Sequence, residues 1–278
     1  MTINELTKKL NPLNDSFYKY VLKELLKKHS KLIVEDADIF FEKNKNIDFD
    51  YNKFLKDFNR VVIKNYPVEY ITNKKFFYNK THYIKKGVLI PRQETEFIVD
   101  WIIKNKLLIN SKKIADFCSG SGVIANTLSS IYKNIEIYGI EKYKIPFDVC
   151  NKNKKILNTN VSFIKNDIFK LKKSFLNQLD AIICNPPYIA KNDNNVDIST
   201  KYEPKNALFA KEDGLYFYKK ILETTIIDLK SGCQVICEIG FNQKTVLEKL
   251  LISNKHIKKF LFIKDLDDNY RIMYFVKK

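Results

Sequence analysis

The sharpest chemical feature of the chain is the segment Asn185-Pro186-Pro187-Tyr188, which follows a short apolar run typical of a buried strand. Two consecutive prolines remove two N–H donors and fix two φ angles, so the segment is rigid and its carbonyl oxygens are free to meet a ligand. The Asn185 side-chain oxygen and the Pro186 carbonyl can together accept both hydrogens of a planar –NH2 group, and Tyr188 offers an aromatic wall. The segment therefore predicts a site for an amide or a ring amino group.

A second candidate site is the glycine-containing turn Asp116-Phe117-Cys118-Ser119-Gly120-Ser121-Gly122. The chain has only seven glycines, whereas average usage of about 7% would give roughly nineteen. Two of them stand two residues apart in this turn, which favours a backbone with positive φ or a ligand pressed against the main chain. The turn is neither a P-loop, because no GK[ST] follows, nor the six-residue dinucleotide fingerprint.

Two carboxylates follow the next two apolar runs. Glu141 comes at the end of the first and can accept both hydroxyls of a ribose. Asp167 comes after the second, in Lys165-Asn166-Asp167-Ile168, and can accept a hydrogen bond from the amino group of a purine. Ligands of parallel sheets bind outside the carboxyl ends of the strands. We therefore expect Asp116, Glu141, Asp167 and Asn185 to lie at one edge of a sheet.

The elements that must position these residues alternate between strands and helices from residue 95 onward. Apolar runs predict strands at 114–117, 135–140, 161–164, 179–184 and 234–239, and helical spacing predicts helices at 123–132, 215–229 and 244–252. This alternation is typical of a parallel, doubly wound sheet. The loop between the last two predicted strands, 260–264 and 271–276, is too short for a crossover helix, so we expect an antiparallel pair.

The first 65 residues have a different pattern. They contain neither glycine nor strand alternation, and two apolar stripes at helical spacing predict a small helical bundle. The stripes are Tyr18, Val21, Leu22 and Leu25, and Phe54, Leu55, Phe58, Val61 and Val62. Residues 75–90 alternate around a turn-like Asn79-Lys80, which predicts a hairpin. We divide the chain into a helical domain at 1–72, a β-hairpin linker at 73–92 and a sheet domain at 93–278.

Composition narrows the class of protein. Apolar residues make up 45% of the chain, no apolar run approaches the roughly 18 residues of a membrane-spanning helix, and the N-terminus lacks the apolar region of a leader. Five scattered cysteines without a CxxC pair, and three histidines, argue against a disulfide framework and a metal site. The net charge of +17 could attract nucleic acid, but its lysines are spread over every segment. We expect a cytoplasmic monomer with no metal, no membrane partner and no stable nucleic-acid binding.

Taken in order, these motifs resemble the class I S-adenosylmethionine-dependent methyltransferases with an (N/D)PP(Y/F) motif. More closely, the sequence is similar to the PrmC/HemK family, the release factor glutamine N5-methyltransferases, from about Pro67 to the C-terminus. Further matching segments are Pro67-Val68-Glu69-Tyr70-Ile71 with Phe77, Leu89-Ile90-Pro91-Arg92-Gln93-Glu94-Thr95-Glu96, Tyr202-Glu203-Pro204, Ala207-Leu208, Asp213-Gly214-Leu215, Glu238-Ile239-Gly240, and Asp265, Asp268, Asn269 and Arg271. Many amino-methylating enzymes share NPPY, whereas IPRxETE together with YEPxxAL and DGL is much more specific.

The resemblance implies a Rossmann-like α/β class I methyltransferase fold with an antiparallel C-terminal strand, and a small N-terminal α-helical domain that docks the substrate. It implies S-adenosylmethionine as cofactor, S-adenosylhomocysteine as product, and peptide chain release factors as partners, methylated on the side-chain amide N5 of the glutamine in their GGQ motif. The implied cofactor contacts are Asp116, Cys118, Ser119, Gly120, Ser121, Gly122, Glu141, Asp167, Ile168 and Asn185. The implied substrate contacts are the catalytic Asn185, Pro186, Pro187 and Tyr188, together with Arg92 and Glu94.

Three residues depart from the family pattern. Cys118 stands where the loop has its first glycine, which predicts a looser fit of the loop on the methionine end of the cofactor, and its small side chain is tolerable there if φ is negative. Asn73 replaces the glycine of the linker and tolerates a left-handed φ. Glu141 replaces the commoner aspartate and is one methylene longer.

Other functions stay open on the sequence alone. The same grip on –NH2 suits the exocyclic amino group of adenine or guanine in DNA or RNA, because a flipped base presents the same group. The positive charge favours that substrate, but no target-recognition insert is evident. A ribosomal-protein glutamine is a further candidate. A domain that merely binds a cofactor or partner would not need the intact Asn185 and Tyr188.

Overall fold

The computed structural model of the chain describes residues 1–11, 15–30, 44, 46–193 and 196–278. The chain forms two compact units, Met1–Lys74 with Asp197–Tyr202, and Lys75–Val196 with Glu203–Lys278. The helical prediction for residues 12–14, 31–43 and 45 lies outside the described residues. No helix within the described ranges is both long enough and apolar enough to cross a membrane.

The first unit is helical, as its apolar stripes predicted. Its helices are α1 (Ile3–Leu10), α2 (Ser16–His29), α3 (Tyr51–Lys64) and α4 (Val68–Thr72), and Ile198–Tyr202 form a 3₁₀ turn. The N-cap residues of the first three helices are Thr2, Asp15 and Asp50, and each side chain accepts a backbone N–H of the first turn. Most residues of the two stripes are buried, and Tyr18, Leu55 and Val62 are partly buried. Both Lys28 and His29 of α2 contact Asp57 of α3, at 2.8 and 2.9 Å.

The second unit is built on a seven-stranded sheet. A hairpin, β1 (Lys74–Phe77) and β2 (Lys80–Tyr83), precedes it along the chain, and its own strands are β3 (Lys113–Phe117), β4 (Glu136–Glu141), β5 (Ser162–Lys165), β6 (Ala181–Cys184), β9 (Gln234–Glu238), β10 (Ile257–Lys264) and β11 (Tyr270–Lys277). Two-residue strands β7 (Ile189–Ala190) and β8 (Phe209–Ala210) pair separately.

The strand order in the sheet is β10-β11-β9-β6-β3-β4-β5. Strands β3, β4, β5, β6 and β9 are parallel, β11 runs antiparallel to β9, and β10 runs antiparallel to β11. This confirms the predicted Rossmann-like sheet with an antiparallel C-terminal strand. The chain order reverses at β3, between β4 and β6, so the carboxyl ends of these strands form the switch point where a ligand is expected.

Helices cover both faces of the sheet. They are α5 (Gln93–Lys104), α6 (Val123–Ile131), α7 (Lys144–Leu157), α8 (Lys173–Leu176), α9 (Lys205–Leu208), α10 (Tyr216–Lys220), α11 (Ile226–Asp228) and α12 (Lys244–Ile252). Successive strand residues pack alternately into two buried clusters, with Ile98 of α5 in one and Tyr218 of α10 in the other. The predicted helix 215–229 forms with a π turn, Ile221–Thr225, between α10 and α11.

The predicted hairpin forms and packs within the second unit. The turn lies at Tyr78 and Asn79, one residue earlier than the predicted Asn79-Lys80, because Lys80 already belongs to β2. Tyr78 and Asn79 have φ of +46° and +59°, the left-handed conformation that suits a two-residue hairpin turn. The side-chain amide of Asn153 on α7 bonds both the N–H and the carbonyl of Tyr83, at 2.7 and 3.0 Å. Asn73, before the hairpin, has φ of +58°, so asparagine supplies the left-handed residue that a glycine would supply.

Candidate active site

A buried carboxylate at the end of β3 fixes the glycine turn. Asp116 is 2% exposed, and its Oδ2 atom accepts hydrogen bonds from the Ser119 hydroxyl at 2.9 Å and the Ala125 N–H at 3.3 Å. These bonds tie the turn to the start of α6. The other oxygen, Asp116 Oδ1, is buried and has no hydrogen-bond partner among the described residues. Within the described residues, only one of the two oxygens of this carboxylate is therefore hydrogen-bonded.

Burial destabilises the ionised form of Asp116. Burial raises the pKa of Asp116 to about 7, against the lowering effect of the Ser119 and Ala125 hydrogen bonds, and the nearby Glu141 carboxylate adds to the rise. A cationic ligand group beside the carboxylate would stabilise its charged form.

Three residues of the turn adopt the left-handed backbone conformation. The φ angles are +59° at Cys118, +57° at Gly120 and +77° at Gly122. The condition of a negative φ at Cys118 is therefore not met: the turn keeps the conformation of a glycine at this position. A Cβ atom in this region crowds the following carbonyl, at a cost of about 1–2 kcal/mol, so Cys118 is strained.

The two glycines of the turn meet different surroundings. A Cβ atom on Gly122 would lie 2.8 Å from both Cys150 and Phe163, so this glycine permits close packing of α7 and β5 on the turn. A Cβ atom on Gly120 would have no neighbour closer than 3.9 Å. The space over Gly120 belongs to a pocket.

Glu141, at the end of β4, is buried and bonded to the turn. Its two oxygens accept one backbone N–H each, from Gly120 at 2.9 Å and from Tyr143 at 2.8 Å. Burial raises the pKa of Glu141, although these bonds oppose the rise. A carboxylate has about four acceptor positions, so two remain for hydroxyl groups of a ligand.

Asp167 lies after β5, and a lysine holds its carboxylate. Oδ1 accepts the Phe169 N–H at 3.0 Å, and Oδ2 lies 3.1 Å from Lys142 Nζ. Burial favours a higher pKa for Asp167, but the Phe169 N–H and the Lys142 ammonium outweigh it and hold the pKa below its ordinary value. The next residue, Ile168, is buried and lines the pocket.

The Asn185–Tyr188 segment is anchored to β9. Asn185 Nδ2 donates to Thr95 Oγ1 at 3.0 Å, and Thr95 donates to Glu238 Oε2 at 2.8 Å. The Tyr188 hydroxyl donates to Glu238 Oε1 at 3.0 Å. Burial and the adjacent Glu238 charge raise the pKa of Tyr188 above its ordinary value, so the phenol stays a neutral donor.

The backbone of Tyr188 is held from the other side. Its carbonyl accepts a hydrogen bond from Gln243 Nε2 at 3.0 Å. Gly214 lies against the same carbonyl, with φ of +86°, and a Cβ atom there would be 2.0 Å from the oxygen. The DGL motif thus needs a glycine because no side chain fits beside Tyr188.

Arg92 and Glu94 are not part of the pocket lining. Arg92 forms an ion pair with the buried Glu203, whose other oxygen accepts the Ile90 N–H at 2.9 Å. The IPRQETE and YEP motifs are therefore bonded to each other. Glu94 is exposed in the first turn of α5, and its charge acts on Tyr188 and Glu238.

A pocket at the carboxyl edge of the sheet brings many of the predicted residues together. It contains about 840 Å³ of open space with its mouth included. The predicted residues that line it are Cys118, Gly120, Glu141, Asp167, Ile168, Asn185 and Pro187. In the part of the chain that the structure describes, the predicted residues outside the lining are Asp116, Ser119, Ser121, Gly122, Pro186, Tyr188, Arg92 and Glu94.

Comparison with known proteins identifies the family. The methyltransferase small domain model matches residues 93–214. A release factor glutamine methyltransferase from Mycoplasma mycoides is 33% identical over 267 residues, which cover 93% of this chain and 91% of that protein. Another of the same name, from Clostridium botulinum, is 36% identical over 214 residues, 74% of each chain. The chain belongs to the release factor glutamine methyltransferase family.

Solved structures share the fold at low identity. The hMettl16 catalytic domain in complex with a MAT2A 3′UTR hairpin superposes with a TM-score of 0.57 at 15% identity, over 94% of this chain and 92% of that one. The T. thermophilus 16S rRNA N2 methyltransferase RsmC, in complex with AdoMet and guanosine, gives a TM-score of 0.52 at 13% identity, over 74% and 50%. These likenesses concern the fold alone and agree with the class I methyltransferase sheet.

Sequence reasoning missed several residues of this family member's site. Thr95 lies in the IPRQETE motif and Glu238 in Glu238-Ile239-Gly240, but the sequence assigned neither residue a role. The hydrogen bonds that link them to Asn185 join segments that are far apart along the chain. Further lining residues without a predicted role are Gly87, Leu89, Ile140, Lys142, Tyr143, Pro146, Asn166, Phe169, Pro204, Asn206, Ala207, Tyr216 and Phe217. Lys142 and Tyr143 directly follow β4, so the rule that ligands bind at strand ends could have found them.

Proposed function

We propose that this chain transfers a methyl group from S-adenosylmethionine to the side-chain amide nitrogen of the glutamine in the GGQ motif of peptide chain release factors, leaving S-adenosylhomocysteine. The observation that carries the proposal is the rigid Asn185–Tyr188 segment at the end of β6, beside a pocket lined by Glu141 and Asp167, in a chain of this family.

The residues around the pocket fit S-adenosylmethionine. The open space over Gly120 admits a ligand against the main chain, and the unpartnered Asp116 Oδ1 suits a cationic amine. Glu141 would accept the ribose hydroxyls, and Asp167 and Ile168 would hold the adenine. When bound, the cofactor supplies a methyl group made electrophilic by its sulfonium.

Positioning is the main contribution of the chain's own residues. An amide nitrogen is a poor nucleophile because its lone pair is delocalised. Asn185 Oδ1 and the Pro186 carbonyl would accept the two amide hydrogens and aim the nitrogen, and Tyr188 would pack the substrate. Such orientation supplies roughly 7–11 kcal/mol in favourable cases. We assign no general base, because an amide that loses planarity becomes acidic enough to give its proton to water.

The helical first unit would dock the release factor. Its described helices carry exposed apolar side chains, Phe17 and Tyr20 on α2 and Ile63 on α3. Contacts remote from the reacting atoms can position a large substrate. Residues 1–72 would thus form the substrate-docking domain.

Incubation with labelled S-adenosylmethionine tests the proposal against its alternatives. Four substrates are compared: release factor, release factor with glutamate in place of the GGQ glutamine, ribosomal proteins and total RNA. We expect label on release factor alone, and none on the glutamate variant. Label on RNA would instead support methylation of a base amino group, and label on a ribosomal protein would move the substrate to another glutamine.

A further inference from the structure

Thr95 and Glu238 have no role in the reaction described above, yet both are joined to Asn185. The three side chains form a chain of hydrogen bonds, 3.0 Å from Asn185 Nδ2 to Thr95 Oγ1 and 2.8 Å from Thr95 Oγ1 to Glu238 Oε2. Thr95 and Glu238 are almost fully buried. Cys184 and Cys237 are register partners, so Asn185 and Glu238 follow at neighbouring strand ends, and Thr95 comes from the first turn of α5.

The direction of these bonds fixes the orientation of the Asn185 amide. An ionised carboxylate only accepts hydrogen bonds, so the single hydroxyl hydrogen of Thr95 goes to Glu238. The Thr95 oxygen is then left as an acceptor and must receive a hydrogen from Asn185 Nδ2. With the amide flipped, two oxygen atoms without a shared hydrogen would face each other. When Glu238 is ionised, Asn185 Oδ1 is therefore held on the opposite side from Thr95.

Glu238 is suited to anchor this chain of bonds. Its two oxygens accept from different donors, Thr95 and Tyr188, so one carboxylate holds both ends of the Asn185–Tyr188 segment. Burial raises the pKa of Glu238 to about 7, while the Thr95 and Tyr188 bonds and the Arg271 charge lower it and the Glu94 charge raises it. A protonated Glu238 would carry a hydrogen of its own and could reverse the bond to Thr95.

We propose that Thr95 and Glu238 are positioning residues, which hold Asn185 so that its Oδ1 atom, and not its NH2 group, faces the substrate amide. The proposal rests on the proposed function, because the orientation matters only if the substrate presents an –NH2 group. Without the Thr95 hydroxyl, the Asn185 amide can rotate, and its NH2 group would then face the NH2 group of the substrate, so that no hydrogen bond forms.

Kinetics of isosteric variants test the proposal in the full-length chain. We expect Thr95→Val to lower kcat on release factor about 10- to 100-fold, the range for a misplaced reacting group. Thr95→Ser should stay within about threefold of wild type, since it keeps the hydroxyl. The affinity for S-adenosylhomocysteine, measured by calorimetry, should be unchanged in both variants. Thr127→Val is the matched control, because the Thr127 hydroxyl is buried and, within the described ranges, has no hydrogen-bond partner.

A double-mutant cycle separates positioning from general damage. If Thr95 acts through Asn185, then in an Asn185→Ala background Thr95→Val should change kcat less than about twofold, because residues that act as a unit are not additive. An equal loss in both backgrounds, or a Thr95→Ser variant as impaired as Thr95→Val, would overturn the proposal. Should Thr95→Val fail to fold by circular dichroism, Thr95→Ala takes its place in the same cycle, because it also removes the hydroxyl and leaves the bond between Tyr188 and Glu238 in place.

Amide exchange provides a readout that needs no substrate. In the ¹⁵N-labelled chain, the side-chain NH2 hydrogens of Asn185 should exchange faster in Thr95→Val than in wild type or Thr127→Val, because the bond to Thr95 is lost. Unchanged exchange would overturn the positioning role. A wild-type chain that leaves release factor unmethylated would overturn the proposed function instead, so the two failures are distinguishable.

Discussion

The Asp116 carboxyl is buried, and within the described residues its Oδ1 atom has no hydrogen-bond partner. Burial raises the pKa of Asp116 to about 7. Below that pH the carboxyl is neutral and offers little to a cation, whereas above it the carboxylate attracts one. We therefore expect the affinity for S-adenosylmethionine to increase between about pH 5.5 and 7.5, with proton release on binding. Calorimetry in buffers of different ionisation enthalpy measures both. Asp116→Asn should remove the pH dependence; if the variant keeps it, another group is responsible.

Cys118 gives a residue-scale test of backbone strain. At most positions a protein is more stable with alanine than with glycine, because glycine loses more conformational freedom on folding. At Cys118, where φ is +59°, the order should reverse, and Cys118→Gly should exceed Cys118→Ala in free energy of unfolding by about 1 kcal/mol. Both variants lose the thiol, so the comparison isolates the Cβ atom. Urea denaturation measures it, and an alanine variant as stable as the glycine variant would show that the strain is absent.

At the scale of elements, the sequence predicted the features that depend on local apolar pattern and on loop length. The sheet strands from β3 onward follow from apolar runs, and the antiparallel pairing of β10 and β11 follows from a loop too short for a crossover. The placement of Glu141 and Asn185 at one edge follows from parallel strands. The link from Asn185 through Thr95 to Glu238 could not be predicted, because it depends on side chains that only the folded sheet brings together.

The contact between Gly214 and the Tyr188 carbonyl gives the next prediction, because it joins a loop to the Asn185–Tyr188 segment. Gly214→Ala should reduce both kcat and stability, since its Cβ atom would lie 2.0 Å from that carbonyl oxygen. Gly232→Ala is the matched control: its φ of +83° is close to the +86° of Gly214, but nothing lies within 4 Å of its added Cβ atom. The control should lose about 1 kcal/mol from backbone strain and keep its kcat. Equal kcat in the two variants would contradict the role of this contact.

At the scale of the whole molecule, the boundary between the two units falls between Tyr202 and Glu203, inside the Tyr202-Glu203-Pro204 motif. The Tyr202 hydroxyl donates to the Lys64 carbonyl at 2.8 Å, and its ring lies 4.9 Å from that of Tyr66, all within the first unit. The next residue, Glu203, belongs to the second unit, where it pairs with Arg92. Deleting the N-terminal residues would therefore leave residues 197–202 without their packing. The docking role of the first unit is better tested by surface substitutions in the full-length chain.

Two exposed apolar residues of the first unit suit that test. Phe17 on α2 is 48% exposed and Ile63 on α3 is 69% exposed. If this unit docks the release factor, the double variant Phe17→Ser, Ile63→Ser should lower kcat/KM for intact release factor about tenfold or more, as loss of apolar anchors does at interfaces. A short GGQ peptide makes no such contacts, so its kcat/KM should not change. Steady-state kinetics on the two substrates measures the difference.

Ile252→Ser provides the control for that comparison. Ile252 is 71% exposed at the end of α12 in the second unit, so Ile252→Ser removes one exposed apolar side chain, comparable to Ile63, away from the first unit. We expect it to leave both substrates unaffected. Equal losses on peptide and release factor in the double variant would mean that the substitutions disturb the catalytic unit itself. An unchanged kcat/KM on release factor would mean that the second unit alone recognises the substrate, because the remote contacts that should position the glutamine would then contribute nothing to the transition state.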